Sequence, residues 1–375
     1  MADEIKVPFV NLPAQYLALR AELLATVDEV LSSGTYILGE HVNRFEENFA
    51  HYCQVKHAIA VANATDALWL VLKALGVGPG HEVITAPNSF IASAGAIAAV
   101  DATPVFVDVG ADYNLNPALL EQVISKKTKV IMPVHLTGRA ADMDAINEIA
   151  AKHDLYVVED AAQAVGARYK TKRVGGLGIA ACFSLHPLKN LHLYGDGGII
   201  TTNDKTLAND LRQLRNHGLE NRDACARWGY NSRLDSLQAA LGVVKLRHLE
   251  SWTARFQEIA QFYRQGLQGK VSLPPEDVEQ ESVYHNFVIR LADRDALMAY
   301  LMSKGIETKV HYPIPIHLQK PAAQYGYKIG DFPESEAQCK SVLSLPIYPE
   351  LRDEQVALVI AEISLFLAQA QRAPL

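Results

Sequence analysis

The sequence predicts an α/β protein: a mostly parallel central sheet covered by helices, followed by a smaller α+β unit. Three observations carry that expectation. Between residues 57 and 160, short apolar runs alternate with stretches of helical spacing. The runs are apolar at consecutive rather than alternate positions, as strands buried on both faces are. And 375 residues are too many for one ordinary single-core domain.

Residues 14–32 (AQYLALRAELLATVDEVLS) and 41–53 (HVNRFEENFAHYC) show helical apolar spacing. The alternation then begins. HAIAVA (57–62) is a strand and TDALWLVLKAL (65–75) a helix; HEVITA (81–86) is a strand and SAGAIAAV (93–100) a helix. TPVFVDV (103–109), TKVIMPVHL (128–136) and DLYVVED (154–160) are strands, separated by helical PALLEQVI (117–124) and MDAINEIAAKH (143–153). Strand–helix alternation of this kind builds parallel sheets. After residue 180 the pattern changes. AACFSL and GGIITT are strands with only about a dozen residues between them, too few for a helical crossover. A long helical region runs from Asp235 to about Gln268. Beyond it, strands at 285–291 and 308–313 and helices at 294–305 and 353–370 form the smaller unit. This divides the chain into a large domain, 1–250, and a small one, 251–375.

The net charge of −7 argues against general nucleic-acid binding and against an anionic membrane surface, so an anionic ligand must be met by local donors. The four cysteines (Cys53, Cys182, Cys225 and Cys339) form no CxxC pair or zinc pattern and read as reduced thiols. No metal is expected: His135, His186 and His192 lack a carboxylate–histidine spacing. No apolar run approaches membrane-spanning length and the start is charged, which together predict a soluble, cytoplasmic protein.

In open α/β sheets, ligands sit beyond the carboxyl ends of the strands. Four stretches place polar or aromatic groups there. NATDALWL (63–70) opens a helix where the N–H groups of Ala64 and Thr65 have no intrahelical partner; it reads either as an ordinary cap or as a phosphate site. In YVVEDAAQAVGA (156–167), Asp160 ends a buried strand and Gln163 follows three residues on. The carboxylate either caps the next segment or faces a cation. In CFSLHPLKNLHLYGDGG (182–198), Ser184 can donate to a phosphate. Lys189 is either a loop lysine or an amine whose pKa is lowered by desolvation. In PNSFIASA (87–94), Phe90 either packs in the core or stacks on a flat ring. A reactive lysine, an acidic partner for a ring nitrogen, phosphate donors and a stacking group are together the requirements of pyridoxal phosphate.

The ordered set NATDAL, PNSFIASA, VVEDAAQAVGA, FSLHPLKNLHLYGDGG, GYNSRLDSLQAA and VHYPIPIHLQ resembles the DegT-type (DegT/DnrJ/StrS) sugar aminotransferases, from FVNLPAQY to SLPIYPEL. The resemblance implies the aspartate aminotransferase fold, fold type I, with pyridoxal 5′-phosphate as cofactor. It implies that Lys189 is the Schiff-base lysine and Asp160 the pyridinium partner, with Gln163 at the ring hydroxyl. Ala64, Thr65 and Ser184 then form the phosphate cradle, and Phe90 stacks on the ring. It also implies that Asn231, in GYNSRLD, serves the phosphate of a neighbouring subunit, hence a homodimer with shared active sites. The chain departs from the commonest pattern at Ala64, at His186 and in HLTGR (135–139), where HLYGQ is more usual. The expected reaction moves an amino group from glutamate to a keto sugar, in the making of amino sugars for cell-surface polysaccharide or lipopolysaccharide. The stretch 14–46 looks closer to the branch aminating C3 and SLHP to the branch aminating C4, so the expected acceptor is a nucleotide-linked 3-keto (or 4-keto) deoxysugar. A keto-octulosonate or cyclitol ketone is the alternative acceptor. His186, Tyr312 and His317 are the substrate-side candidates. The family's dehydratases usually carry histidine where Lys189 stands, which argues against dehydration.

Overall fold

The computed structural model describes residues 5–372. The N-terminal half alternates as the apolar runs require. α1 (Leu12–Ser33) starts where the Asn11 side chain accepts from the Ala14 N–H and ends at left-handed Gly34. α2 (Glu40–Cys53) follows. Then come β1 (His57–Val61), α3 (Ala64–Ala74), β2 (Glu82–Thr85), α4 (Ile91–Ala98), β3 (Thr103–Phe106), β4 (Thr128–Ile131), α5 (Met143–Lys152) and β5 (Tyr156–Asp160). Two short strands, β6 (Arg168–Tyr169) and β7 (Lys172–Arg173), precede β8 (Ala180–Ser184) and β9 (Gly198–Thr202). α6 (Lys205–Leu214), α7 (Ser236–Leu246) and α8 (Leu249–Leu267) lead to β10 (Gln280–Glu281) and β11 (Phe287–Arg290). α9 (Arg294–Ser303), α10 (Pro333–Ser341), β12 (Val342–Leu345) and α11 (Asp353–Arg372) complete the chain.

The main sheet has seven strands in the order β1-β9-β8-β5-β4-β2-β3. β9 runs antiparallel to both its neighbours, and every other pairing is parallel. Successive residues of one strand feed different cores. Ile59, Val130 and Cys182 face the layer of α3, α4 and α6, while Ala60, Ile131 and Phe183 face the layer of α2 and Leu249. That two-sided burial is why these strands read as unbroken apolar runs. A third core joins Val7 to α8, β11, β12, α9 and α11.

Four differences from the sequence expectation have local causes. The helical region 235–268 is two helices, because Arg247 and His248 close on Val244 and Lys245 with tighter three-residue bonds. Residues 117–122 form a 3-10 turn after Asn116 rather than an α-helix. Residues 308–313 make only an isolated bridge, Lys309 to Ser344, where a strand was expected. α6 and α10 were not foreseen; α10 buries polar Ser335, Glu336 and Gln338, which hides its helical periodicity. Among the described residues, no helix is long and apolar enough to cross a membrane.

Candidate active site

A cavity of about 550 Å³ opens beyond the carboxyl ends of β5 and β8, with residues 9–15 and 347–350 across its outer side. It collects Ala64, Thr65, Phe90, Asp160, Gln163, Ser184, His186, Lys189 and Tyr312, nine of the residues singled out from the sequence. His317 and Asn231 are not in its lining. His317 is buried against Phe332, with ring centroids 4.7 Å apart, and its Nε2 meets Glu336 Oε1 at 3.2 Å. Asn231 is exposed on the strand of a hairpin bridged to Asn216.

At one end, the Asn63 carboxamide accepts from the Asp66 N–H at 2.8 Å and starts α3. The first N–H groups of that helix belong to Ala64 and Thr65, and they face the cavity beside Ser184. β9 passes so close that a Cβ on Gly198 would lie 2.4 Å from the Asn63 carbonyl, so glycine is required there. These donors could hold an anion.

Asp160 ends β5 and is 4% exposed. Its Oδ2 accepts from the Ser93 hydroxyl at 2.7 Å and its Oδ1 from the Ala162 N–H at 3.2 Å. Burial pushes the carboxyl up from the usual range, against the pull of those donors and of Lys189. A buried carboxylate so placed is stabilised by a facing cation. Sequence reasoning missed Ser93, although it stands one helical turn after Phe90 and shares its face. Phe90, at the start of α4, is 54% exposed and lies 5.7 Å from the Tyr312 ring, which excludes the core-packing alternative for it.

Lys189 sits in a turn closed by its own N–H to the His186 carbonyl at 2.9 Å. Burial lowers its amine to about 8, partly opposed by Asp160. About a tenth of it is therefore neutral at pH 7, enough to act as a nucleophile. Gln163 is fixed at both ends of its carboxamide: Oε1 accepts from the Thr137 N–H at 2.8 Å and Nε2 donates to the Tyr312 hydroxyl at 3.2 Å. The opposite wall holds His285, Asn286 and His311. Burial depresses both imidazoles, His311 to about 4 and His285 well below its ordinary value, so they are neutral hydrogen-bonding groups at pH 7. None of these three was foreseen, although Tyr312, next to His311 in the chain, was. His311 is in the same quoted motif; His285 and Asn286 carry no local sequence signal.

The sequence profile of the DegT/DnrJ/EryC1/StrS aminotransferase family matches residues 18–364. A pleiotropic regulatory protein of Geobacillus stearothermophilus is 46% identical over 96% of this chain and 99% of its own. The dTDP-3-amino-3,4,6-trideoxy-alpha-D-glucose transaminase of Streptomyces venezuelae is 44% identical over 96% of each chain. Among solved structures, S. venezuelae DesV in complex with a ketimine intermediate superposes with a TM-score of 0.95 at 43% identity, covering 98% of this chain and 99% of that one.

Proposed function

From the premise that this chain belongs to the DegT/DnrJ/EryC1/StrS aminotransferase family, we propose that it transfers an amino group from glutamate to C3 of a nucleotide-linked keto deoxysugar. The enzyme is a pyridoxal 5′-phosphate-dependent sugar aminotransferase of fold type I. The convergence of Lys189 and Asp160 in one buried cavity carries the reading. The C3 position and the nucleotide rest on the activity printed for the S. venezuelae relative.

The residues present fit the cofactor. The N–H groups of Ala64 and Thr65 with the Ser184 hydroxyl would hold its phosphate. Asp160 would hold the proton of its ring nitrogen, and Phe90 and Gln163 would fix the ring. Bound there, pyridoxal phosphate supplies a carbonyl that traps the amino group and a ring that takes up electron density. Lys189 would hold the cofactor through its amine. Its Nζ, when free, would take the proton from the amino-bearing carbon of the donor and give it back, as general base and then acid. Facing that ring nitrogen, the Asp160 carboxylate would stabilise its positive charge. His186 and Tyr312 border the acceptor.

The chain is organised as a large part, 1–250, and a small part, 251–375, and works in the cytoplasm as a homodimer. Asn231 then serves the phosphate end of the other copy. Two observations support this: the returning strand of the hairpin carries Trp228 at 94% exposure, and its base bonds the phosphate loop through Ser232 Oγ to Asp66 Oδ2 at 2.7 Å. Mixing inactive Lys189→Ala and Asn231→Ala chains tests it, since hybrid dimers should regain one working site.

The main experiment separates the half-reactions. Cofactor-loaded protein mixed with glutamate should lose its visible absorbance. A 3-keto nucleotide sugar should restore it, and free keto sugars should not. Restoration by a keto-octulosonate or cyclitol ketone alone would move the acceptor to the non-nucleotide class. No change with any amino donor would refute the transaminase.

A further inference from the structure

We propose that Arg139 is a positioning residue: it clasps the strap 274–286, whose inner end forms one wall of the cavity, and so sets how tightly the sugar acceptor is held. The second part rests on the reading above.

Arg139 is 9% exposed. Its Nε donates to Gln280 Oε1, its Nη1 donates to the Pro275 carbonyl, and its Nη2 lies 3.9 Å from Asp277 Oδ2. Three of its partners thus fall on one short segment. A planar guanidinium with fixed donors suits such a task better than a flexible ammonium. The segment is also tied at its edges, by the pairing of β10 with β6, by Lys170 N–H to the Glu279 carbonyl, by Arg264 to Pro274 and by Gln257 to Ser282, while Arg139 reaches three of its residues across the middle. β10 is two residues long, and Val278 at the tip is fully exposed. Beneath the strap lies a second cavity of about 470 Å³, bordered by Asp112, Arg139 and Gln257. The void leaves the middle of the strap without packing beneath it, and the directed bonds of Arg139 span that stretch.

Followed inward, the strap rests on the same corner that carries Arg139. The Val283 N–H donates to the Gly138 carbonyl at 2.9 Å, and the Ser282 hydroxyl does so at 3.1 Å. Gly138 has φ +97°, and a Cβ there would lie 2.8 Å from the His285 nitrogen, so strap and corner meet backbone to backbone. The strap then grips the residue after the catalytic lysine. Asn190 Nδ2 donates to the Val283 carbonyl at 2.9 Å, and His285 Nδ1 donates to Asn190 Oδ1 at 3.1 Å. His285 and Asn286 are left facing the cavity. The corner also holds the opposite side, because the Thr137 N–H fixes Gln163 and Gln163 fixes Tyr312. The amino donor is small and reacts at Lys189. The acceptor is larger and must fit out to the strap wall, so it feels the clasp first.

The test uses the cofactor-loaded enzyme and Arg139→Gln, with Gln280→Ala as a milder variant that leaves the arginine in place. Hydrogen exchange at 276–284 reads the clasp without substrate; it should speed at least tenfold in Arg139→Gln and less in Gln280→Ala. Kinetics read its purpose, with a dTDP-linked 3-amino-3,6-dideoxyhexose run in reverse as the sugar probe. The KM for that probe should rise about tenfold, the order of one lost charge-assisted bond, while the KM for glutamate and kcat stay within about twofold. Arg139→Lys should recover part of the loss. Unchanged exchange in the strap overturns the clasp. Faster exchange with an unchanged sugar KM, or an equal loss in both half-reactions, overturns its role in holding the acceptor. If the wild type accepts no amino or keto sugar, the functional reading fails, and the exchange result still decides the clasp.

Discussion

The two ends of the cavity are assembled in different ways. At the cofactor end, Asp160 and Ser184 terminate neighbouring strands of one sheet, and Ala64 and Thr65 open the helix after a third strand. Their positions follow from the sheet, which is buried on both faces and rigid. At the acceptor end, Gln15, His285, His311 and Tyr348 come from segments spread from one end of the chain to the other, His285 and His311 held by hydrogen bonds to Asn190 and Ser344 and Tyr348 packed in the third core. The rigid end suits chemistry that is the same for every substrate. The assembled end suits recognition, because one segment can change without disturbing the sheet. Substitutions at the cofactor end should therefore damage both half-reactions alike, and those at the acceptor end only one.

The largest expected effect comes from Lys189→Ala. Loss of the amine removes both the covalent hold and the proton carrier, so each half-reaction should slow by roughly 10⁴-fold or more. The N–H donors of Ala64 and Thr65 are untouched, and the protein should still retain pyridoxal phosphate through dialysis. Stopped-flow absorbance measures both half-reactions. A variant that kept one of them would break the comparison at its stronger side.

Asp160→Asn is next. It preserves shape and the Ser93 contact but removes the charge that would face the ring nitrogen. Rates should fall by roughly 10²–10³-fold in both directions. A loss confined to the sugar half-reaction would place Asp160 at the acceptor end and overturn its assignment.

How much could be read from the sequence follows the same division. The cofactor end was legible because strand ends and helix starts are local features, and the groups that matter lie within a few residues of them. Lys189, Asp160, Gln163 and Thr65 were each placed beside a recognisable run, and all four line the cavity. Ser93 was missed because a hydroxyl inside a helix carries no signal until its partner across the sheet is known. The acceptor end was nearly illegible. His285 and Asn286 look like the start of an ordinary strand, and Arg139 showed only as a departure from a familiar pattern. Their roles depend on contacts between residues about 90 to 140 positions apart. The mostly parallel sheet was legible, but the short strands, α6 and α10 were not.

A pH measurement sharpens the cofactor end further. Burial lowers the Lys189 amine from its ordinary value to about 8. The neutral form attacks, and its share rises with pH, so capture of pyridoxal phosphate by the apo-protein should speed about tenfold between pH 7 and 9 and then level off. The negative charge of Asp160 works against burial, holding the Lys189 value higher than burial alone would. Asp160→Asn should therefore move the rise to lower pH. A rise that continued past pH 10 would mean that the lysine is not desolvated.

The smallest effect separates two histidines of one motif. HYPIPIH contains both His311 and His317; the sequence pointed to His317, and the cavity is lined by His311 instead. His311 lines the cavity, and its Nδ1 contacts Ser344 Oγ at 2.9 Å. His317 is turned away among Phe332 and Glu336, and Glu336 also accepts from the Gly330 N–H at 2.7 Å. His317→Ala would leave that buried carboxylate short of a partner and open a small void. The expected cost is about 1–3 kcal/mol of stability, seen as a lower Tm. The KM for the sugar should stay within about twofold, because no atom of His317 borders the cavity. His311→Ala should show the reverse pattern, a raised sugar KM with a smaller loss of stability. If instead His317→Ala weakened sugar binding without lowering Tm, the acceptor would extend beyond the wall described here, and the division between recognition and support in the small domain would have to be redrawn.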